Sequence, residues 1–66
     1  MRTFGENLKN LRNSAGISQQ AFAAKLGTTQ QRVSEWERGL VEPTLYNIIK
    51  ILNILNVSFE ELTDGL

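Results

Sequence analysis

Between Ser18 and Gly39 the chain reads SQQAFAAKLGTTQQRVSEWERG, a pattern typical of two short helices joined by a tight turn. Phe22 and Leu26 are four residues apart, so they fall on the same face of the first helix. Gly27 is expected to end that helix, because a residue that adopts positive φ without strain often follows a helix. The sequence therefore predicts a helix–turn–helix over residues 18–39.

The second helix of the pair is predicted to have an apolar side and a polar start. Val33 and Trp36 are three residues apart and are expected to face inward. Either Thr28 or Thr29 can cap this helix, and Gln31 could complete a capping box with Thr28. Long uncharged side chains that donate and accept hydrogen bonds are suited to base edges in a DNA major groove. The side chains expected to point to solvent are those of Gln30, Gln31, Arg32, Ser34 and Glu35.

This segment resembles the helix-turn-helix of the phage repressor and Cro family, also called the Cro/C1 or XRE-type domain. The opening residues 1–9 also look like those of a lambdoid Cro protein, and the resemblance covers nearly all of the chain. It implies an all-α fold: one compact five-helix, lambda-repressor-like domain over residues 1–66, with the helix-turn-helix at helices 2 and 3. The residues that carry the resemblance are Gln19, Ala23, Gly27, Val33 and the ending Trp36-Glu37-Arg38-Gly39.

Length and composition limit the possible functions. Sixty-six residues suffice for one domain with a small core. The sequence has no Cys, so we expect no disulfide and no Cys-based metal site, and no His, the commonest catalytic base and metal ligand. It also shows no nucleophile–base pair, no phosphate-binding glycine loop and no metal cluster, so we expect no metal, no cofactor and no enzymatic activity. No small-molecule ligand is indicated. It contains no apolar run of about 18 residues, so the sequence predicts a cytoplasmic protein without membrane contact.

Charge is unevenly distributed along a chain of zero net charge. Residues 1–39 hold six basic and three acidic side chains, a net charge of +3. Residues 40–66 hold one basic and four acidic side chains, a net charge of −3. The positive half contains the predicted helix pair, as a DNA-binding surface requires. The alternative is that small counts scatter unevenly by chance.

The first helix is predicted to begin at Thr3, with Glu6 three residues later in a capping-box pattern, and to be closed by Gly16. Lys9 falls on its outer side, where it is either a phosphate contact or an ordinary solvated residue. The family resemblance implies a structural ion pair between Arg12, near the end of this helix, and Glu37, which closes the third helix.

Contacts to the DNA backbone are expected at the start of the second helix and the end of the third. Ser18 is the predicted N-cap of the second helix, whose free amides suit a phosphate, although simple capping is the alternative. The family uses the position of Gln19 on the DNA backbone, and Arg38 is a further basic candidate. The predicted phosphate contacts are Ser18, Gln19, Arg38 and Lys9.

Contacts to the bases are expected from the front of the third helix. Gln30 resembles the family glutamine that contacts a base edge, and a glutamine amide can bond N6 and N7 of adenine together. Arg32 could reach either a guanine or a phosphate, whereas the carboxylate of Glu35 would repel phosphate. The alternative is a polar solvent face without a ligand. The predicted base-reading residues are Thr29, Gln30, Gln31, Arg32 and Ser34.

The remaining residues are expected to complete the core and a dimer interface. Pro43 followed by Thr44 is predicted to start the fourth helix, which is expected to be the most buried. The residues that fit its apolar face are Leu45, Ile48, Ile49, Leu52 and Leu55. A capping box at Ser58 and Glu61 predicts a short last helix. In the family, the loop after the third helix and the last helix form a two-fold interface; the alternative is that they serve the core alone. The interface candidates are Leu40, Val41, Val57, Phe59 and Leu62.

Two functions are compatible with the sequence. The resemblance implies a sequence-specific transcriptional regulator that binds a pseudo-palindromic operator in double-stranded DNA as a homodimer, with helix 3 in the major groove. The alternative is a protein-interaction module, such as an antitoxin or adaptor, that keeps the fold with weak or no operator binding. Zero net charge and the acidic, apolar loop 40–43 favour the alternative.

Overall fold

The computed structural model describes residues 2–66, which form five α-helices and no β-strand. The expected all-α, five-helix fold is therefore confirmed. No helix within these residues is long and apolar enough to cross a membrane. The helices are α1 (Phe4–Ser14), α2 (Gln19–Leu26), α3 (Gln30–Glu37), α4 (Leu45–Leu55) and α5 (Phe59–Leu62).

Every helix begins after a Ser or Thr whose side-chain oxygen accepts a backbone N–H of the first turn. These bonds satisfy donors that have no partner inside the helix. The capping boxes predicted for Thr3 with Glu6, and for Ser58 with Glu61, are both present. Gly27 ends α2 in the left-handed conformation, with φ of 76°, as predicted.

The sequence left open whether Thr28 or Thr29 caps α3, and the structure shows that Thr29 does. Thr29 is the N-cap, and its Oγ1 accepts the N–H of Arg32 at 3.1 Å. The capping box between Thr28 and Gln31 is therefore wrong, since α3 begins one residue later than that box requires.

All five helices contribute to one apolar core, in which Trp36 is the largest fully buried side chain. Trp36 and Val33 fix α3 to the core, because both side chains are buried. Burying one large apolar side chain contributes about 1.5–3 kcal/mol to folding. α3 therefore rests on a rigid apolar base. The buried apolar residues are Leu8, Phe22, Ala23, Leu26, Val33, Trp36, Ile51, Leu55 and Leu62.

The predicted burial of α4 is wrong. Leu45 is 70% exposed and Ile49 is half exposed, whereas Ile51 and Leu55 point into the core. α4 has only two buried residues, and α1 has four. Apolar residues surround most of α4, so their periodicity could not identify the face that packs against the other helices.

Asn7 is a buried polar residue that the sequence did not reveal. Its Nδ2 donates to the carbonyl oxygen of Leu62 at 3.0 Å and to that of Asp64 at 2.7 Å. Its Oδ1 accepts a bond from Arg2 at 3.5 Å. Asn7 therefore ties α1 to the last turn of the chain, more than fifty residues away in sequence.

We expect Asn7→Ala to lower the free energy of unfolding by about 1–2 kcal/mol, because two carbonyl groups lose their donor. Asn10→Ala is the matched control, since Asn10 is exposed on the same helix. Urea unfolding followed by the fluorescence of Trp36, the only tryptophan, measures both. An equal effect of the two substitutions would contradict the role given to Asn7.

Candidate nucleic-acid interface

The front of α3 presents polar side chains on an apolar support. Gln30, Gln31 and Arg32 are exposed, whereas Val33 is buried and Trp36 is only 1% exposed. A helix held from beneath in this way can present its outer side chains in a fixed register to a groove. We call Thr29, Gln30, Gln31, Arg32 and Ser34 the reading edge.

The members of the reading edge are not equally free. Ser34 and its neighbour Glu35 are partly buried, so they are less accessible than Gln30, Gln31 and Arg32. The hydroxyl oxygen of Thr29 accepts a hydrogen bond from the N–H of Arg32, so it is already used to cap α3. Gln30 and Gln31 are therefore the most accessible uncharged donors and acceptors of the edge.

Arg32 and Glu35 form a salt bridge across one turn of α3. The distance from Nε of Arg32 to Oε1 of Glu35 is 3.6 Å. The Arg32 side chain is 54% exposed and that of Glu35 is 25% exposed. Their spacing of three residues permits such a pair, although the sequence suggested a separate role for each side chain.

The structure brings Arg12 and Glu37 together in a buried ion pair. Nε of Arg12 lies 2.6 Å from Oε2 of Glu37, and Nη2 lies 3.1 Å from Oε1. Nη1 also donates to the carbonyl oxygen of Ile17 at 2.7 Å. The side chains are 7% and 3% exposed. The pair joins α1, the entry to α2 and the end of α3.

Gln19 extends this network, which the sequence did not predict. Its Nε2 donates to Oε1 of Glu37 at 2.9 Å. One N–H of the amide is thereby engaged and a second remains for another acceptor. Because Gln19 contacts Glu37, the start of α2 lies beside the end of α3, where Arg38 follows directly.

The other two candidate phosphate contacts differ in their surroundings. Ser18 is the N-cap of α2, and its Oγ accepts the N–H of Ala21 at 3.1 Å. Lys9 is exposed on α1 and forms no salt bridge within residues 2–66. The bond from Gln19 to Glu37 brings Ser18 and Gln19 close to Arg38. No hydrogen bond or salt bridge within residues 2–66 places Lys9 beside them.

One candidate for the dimer interface is wrong. Leu62 is 0% exposed and belongs to the core, because α5 packs this side chain inward beneath α1. Leu40 and Phe59 are 64% and 54% exposed, and Val41 and Val57 are partly buried against the core. These four residues remain available to a partner. Further exposed apolar side chains on α4 are those of Leu45, Tyr46 and Ile49.

The structure is an all-α domain of five helices in which α2 and α3 form a helix-turn-helix. The outer face of α3 is exposed. A family model described as helix-turn-helix matches residues 8–62. This chain belongs to that family, in its Cro/C1 or XRE-type branch. Curated relatives that match most of this chain are named as HTH-type transcriptional regulators.

Curated relatives match this chain in sequence and are longer than it. The chain is 47% identical over 62 residues to the SPbeta prophage-derived uncharacterized regulator YonR of Bacillus subtilis, and the match covers 94% of this chain and 57% of YonR. The chain thus spans about half the length of the first curated relatives it matches.

Two solved structures show how widely the fold is shared. The P22 c2 repressor in complex with a synthetic operator is 27% identical, with full coverage of both chains and a TM-score of 0.89. The restriction-modification controller protein C.AhdI from Aeromonas hydrophila is 36% identical, with 89% of this chain and 86% of that chain covered and a TM-score of 0.83.

Proposed function

We propose that this chain is the DNA-binding domain of a repressor-type transcriptional regulator, located in the cytoplasm. Two copies bind a pseudo-palindromic operator in double-stranded DNA, and each places α3 in the major groove. The observation that carries the proposal is the exposed reading edge above the buried Val33 and Trp36. The operator complex of the P22 c2 repressor supports it, since that protein has the same fold.

The reading edge supplies the base contacts. Gln30 and Gln31 are exposed at the start of α3, and each amide can bond N6 and N7 of one adenine. Ser34 lies one turn further along and faces the next base pairs. Thr29 contributes its methyl group to thymine contacts, because its hydroxyl is engaged in capping.

Phosphate contacts orient α3 over the bases without reading them. Ser18 and Gln19 offer the free amides at the start of α2, and the remaining amide hydrogen of Gln19 adds a donor there. Arg38 supplies a positive charge beside this group, and Lys9 contributes a more distant one. The loop 40–43 is acidic and apolar, so few phosphates are neutralised and the salt dependence is shallow.

Dimerisation compensates for this modest affinity, because joining two sites raises the effective concentration of the second. Leu40, Val41, Val57 and Phe59 supply the apolar contact between two copies. Selection of bound duplexes from a random DNA pool tests the arrangement. We expect two half-sites related by two-fold symmetry, with centres about 34 Å apart. A single asymmetric site would contradict the dimer.

Gln30→Ala is expected to abolish the preference at one base pair of each half-site, where discrimination falls by about 1–3 kcal/mol. Arg38→Ala is the matched comparison: it should weaken binding to all sequences alike and reduce the slope of log Kobs against log salt by about 0.9. Binding-site selection and salt titration measure both effects. An unchanged preference for Gln30→Ala, or a sequence-selective loss for Arg38→Ala, would contradict these assignments.

A protein-interaction module, such as an antitoxin or adaptor, is the second candidate. Leu45, Tyr46 and Ile49 expose apolar surface on α4, and the net charge of the chain is zero. A mobility-shift titration at low salt separates the two functions. No binding to any duplex at micromolar protein would favour the interaction module.

A further inference from the structure

The salt bridge between Arg32 and Glu35 lies on the helix that presents the reading edge. Glu35 is three residues from both Arg32 and Arg38, but its salt bridge within residues 2–66 is with Arg32. The carboxylate therefore draws the guanidinium that lies nearer the front of α3. Glu35 is only 25% exposed, so its side chain is itself restrained.

The atoms that form the pair determine which donors remain. An arginine presents five N–H donors in a rigid planar fork. Glu35 approaches Nε of Arg32, which leaves the two terminal nitrogens of the fork without a salt-bridge partner in residues 2–66. Two parallel N–H donors match O6 and N7 of guanine in the major groove.

The negative charge of Glu35 also weakens the attraction of Arg32 to the DNA phosphates relative to its contacts with bases. An unpaired arginine at a protein–DNA boundary is attracted to the phosphates, which dominate the electrostatic term. A carboxylate beside it offsets part of this charge and keeps the guanidinium along the helix. Because more than half of the Arg32 side chain is exposed, the pair contributes little to folding stability.

We propose that Glu35 is a positioning residue that holds Arg32 on the reading edge, so that Arg32 reads a guanine instead of contacting a phosphate. This inference rests on the proposed function and resolves the two possibilities that the sequence left for Arg32. It also gives Glu35 a role in specificity, although its charge lowers the overall affinity for DNA.

Selection from a random duplex pool tests the proposal with the wild type, three single variants and one double variant. The wild type should prefer guanine at one base pair of each half-site by about tenfold, and Arg32→Lys should lose this preference because lysine lacks the planar fork. Glu35→Gln should bind more tightly overall with a guanine preference reduced to about twofold. Glu42→Gln is the control, since Glu42 is exposed and forms no salt bridge within residues 2–66.

Salt dependence provides a second readout that a purely structural role would not change. If Glu35→Gln releases Arg32 to a phosphate, the slope of log Kobs against log salt should steepen by about 0.9, as expected for one additional phosphate. In the Arg32→Lys background, Glu35→Gln should cause no further loss of guanine preference. Glu42→Gln should leave the guanine preference as in the wild type.

Three results would overturn the proposal. If Glu35→Gln retains the guanine preference with an unchanged salt slope, Glu35 does not position Arg32. If Glu42→Gln causes the same loss, the effect is one of general charge. In both cases the proposed function stands, because the wild type still selects an operator. If the wild type binds no duplex, the proposed function fails and this inference fails with it.

Discussion

Glu37→Leu is expected to lower the free energy of unfolding by about 3–5 kcal/mol, because the guanidinium of Arg12 would remain buried without its counter-charge. The amide of Gln19 would lose its acceptor at the same time. A domain of 66 residues has a total stability of only about 3–10 kcal/mol, so much of the variant should be unfolded at room temperature. Urea unfolding, followed by Trp36 fluorescence and circular dichroism, measures the loss.

The double substitution Arg12→Met with Glu37→Leu separates the buried charge from the loss of contacts. We expect it to be more stable than either single variant, since no unpaired charge is left in the interior. Glu60→Leu, at an exposed position of α5, should change stability by less than about 0.5 kcal/mol. Additive losses in the double variant would show that the pair is not a coupled unit.

Gly5→Ala is expected to destabilise the fold by about 2–3 kcal/mol, the upper part of the range for overpacking. A Cβ atom at Gly5 would lie 2.6 Å from the carbonyl oxygen of Trp36 and closer still to that of Glu37. These are backbone atoms in the last turn of α3, so relief requires α1 and α3 to move apart. In a helix without such a contact, replacing glycine by alanine stabilises by about 0.5–1 kcal/mol.

The sign of the effect is the test of the Gly5 contact. Asn10→Ala, on the exposed side of α1, should be neutral or slightly stabilising because alanine is the best helix former. Thermal and urea unfolding of the two variants measure the difference. A stabilised Gly5→Ala protein would mean that α1 and α3 do not approach as closely as the structure shows.

The parts of the fold that depend on neighbouring residues could be predicted from the sequence. Capping boxes join residues three apart, so Thr3 with Glu6 and Ser58 with Glu61 were identifiable from their spacing alone. The turn at Gly27 follows from its freedom to adopt positive φ. The contact between Arg12 and Glu37 came from the family resemblance and not from spacing, since twenty-five residues separate the two.

Other contacts between residues far apart in the sequence could not be predicted from its local patterns. Nothing near Asn7 indicates that its partners are the carbonyl groups of Leu62 and Asp64. The clash that makes Gly5 necessary arises only where α1 meets the end of α3. Leu62 and Phe59 look alike in the sequence as apolar residues of one short helix, yet the first is in the core and the second is more than half exposed.

The amino-acid sequence alone was sufficient for the number and kind of the helices, for most of their ends and for the polar front of α3, because these features follow from local hydrogen bonding and helical periodicity. Three-dimensional packing decided which side of α4 is buried and which apolar residues remain for a partner. These features depend on which surfaces come into contact when the chain folds. The hydrophobic effect that drives folding is non-directional, so the sequence pattern alone does not specify those contacts.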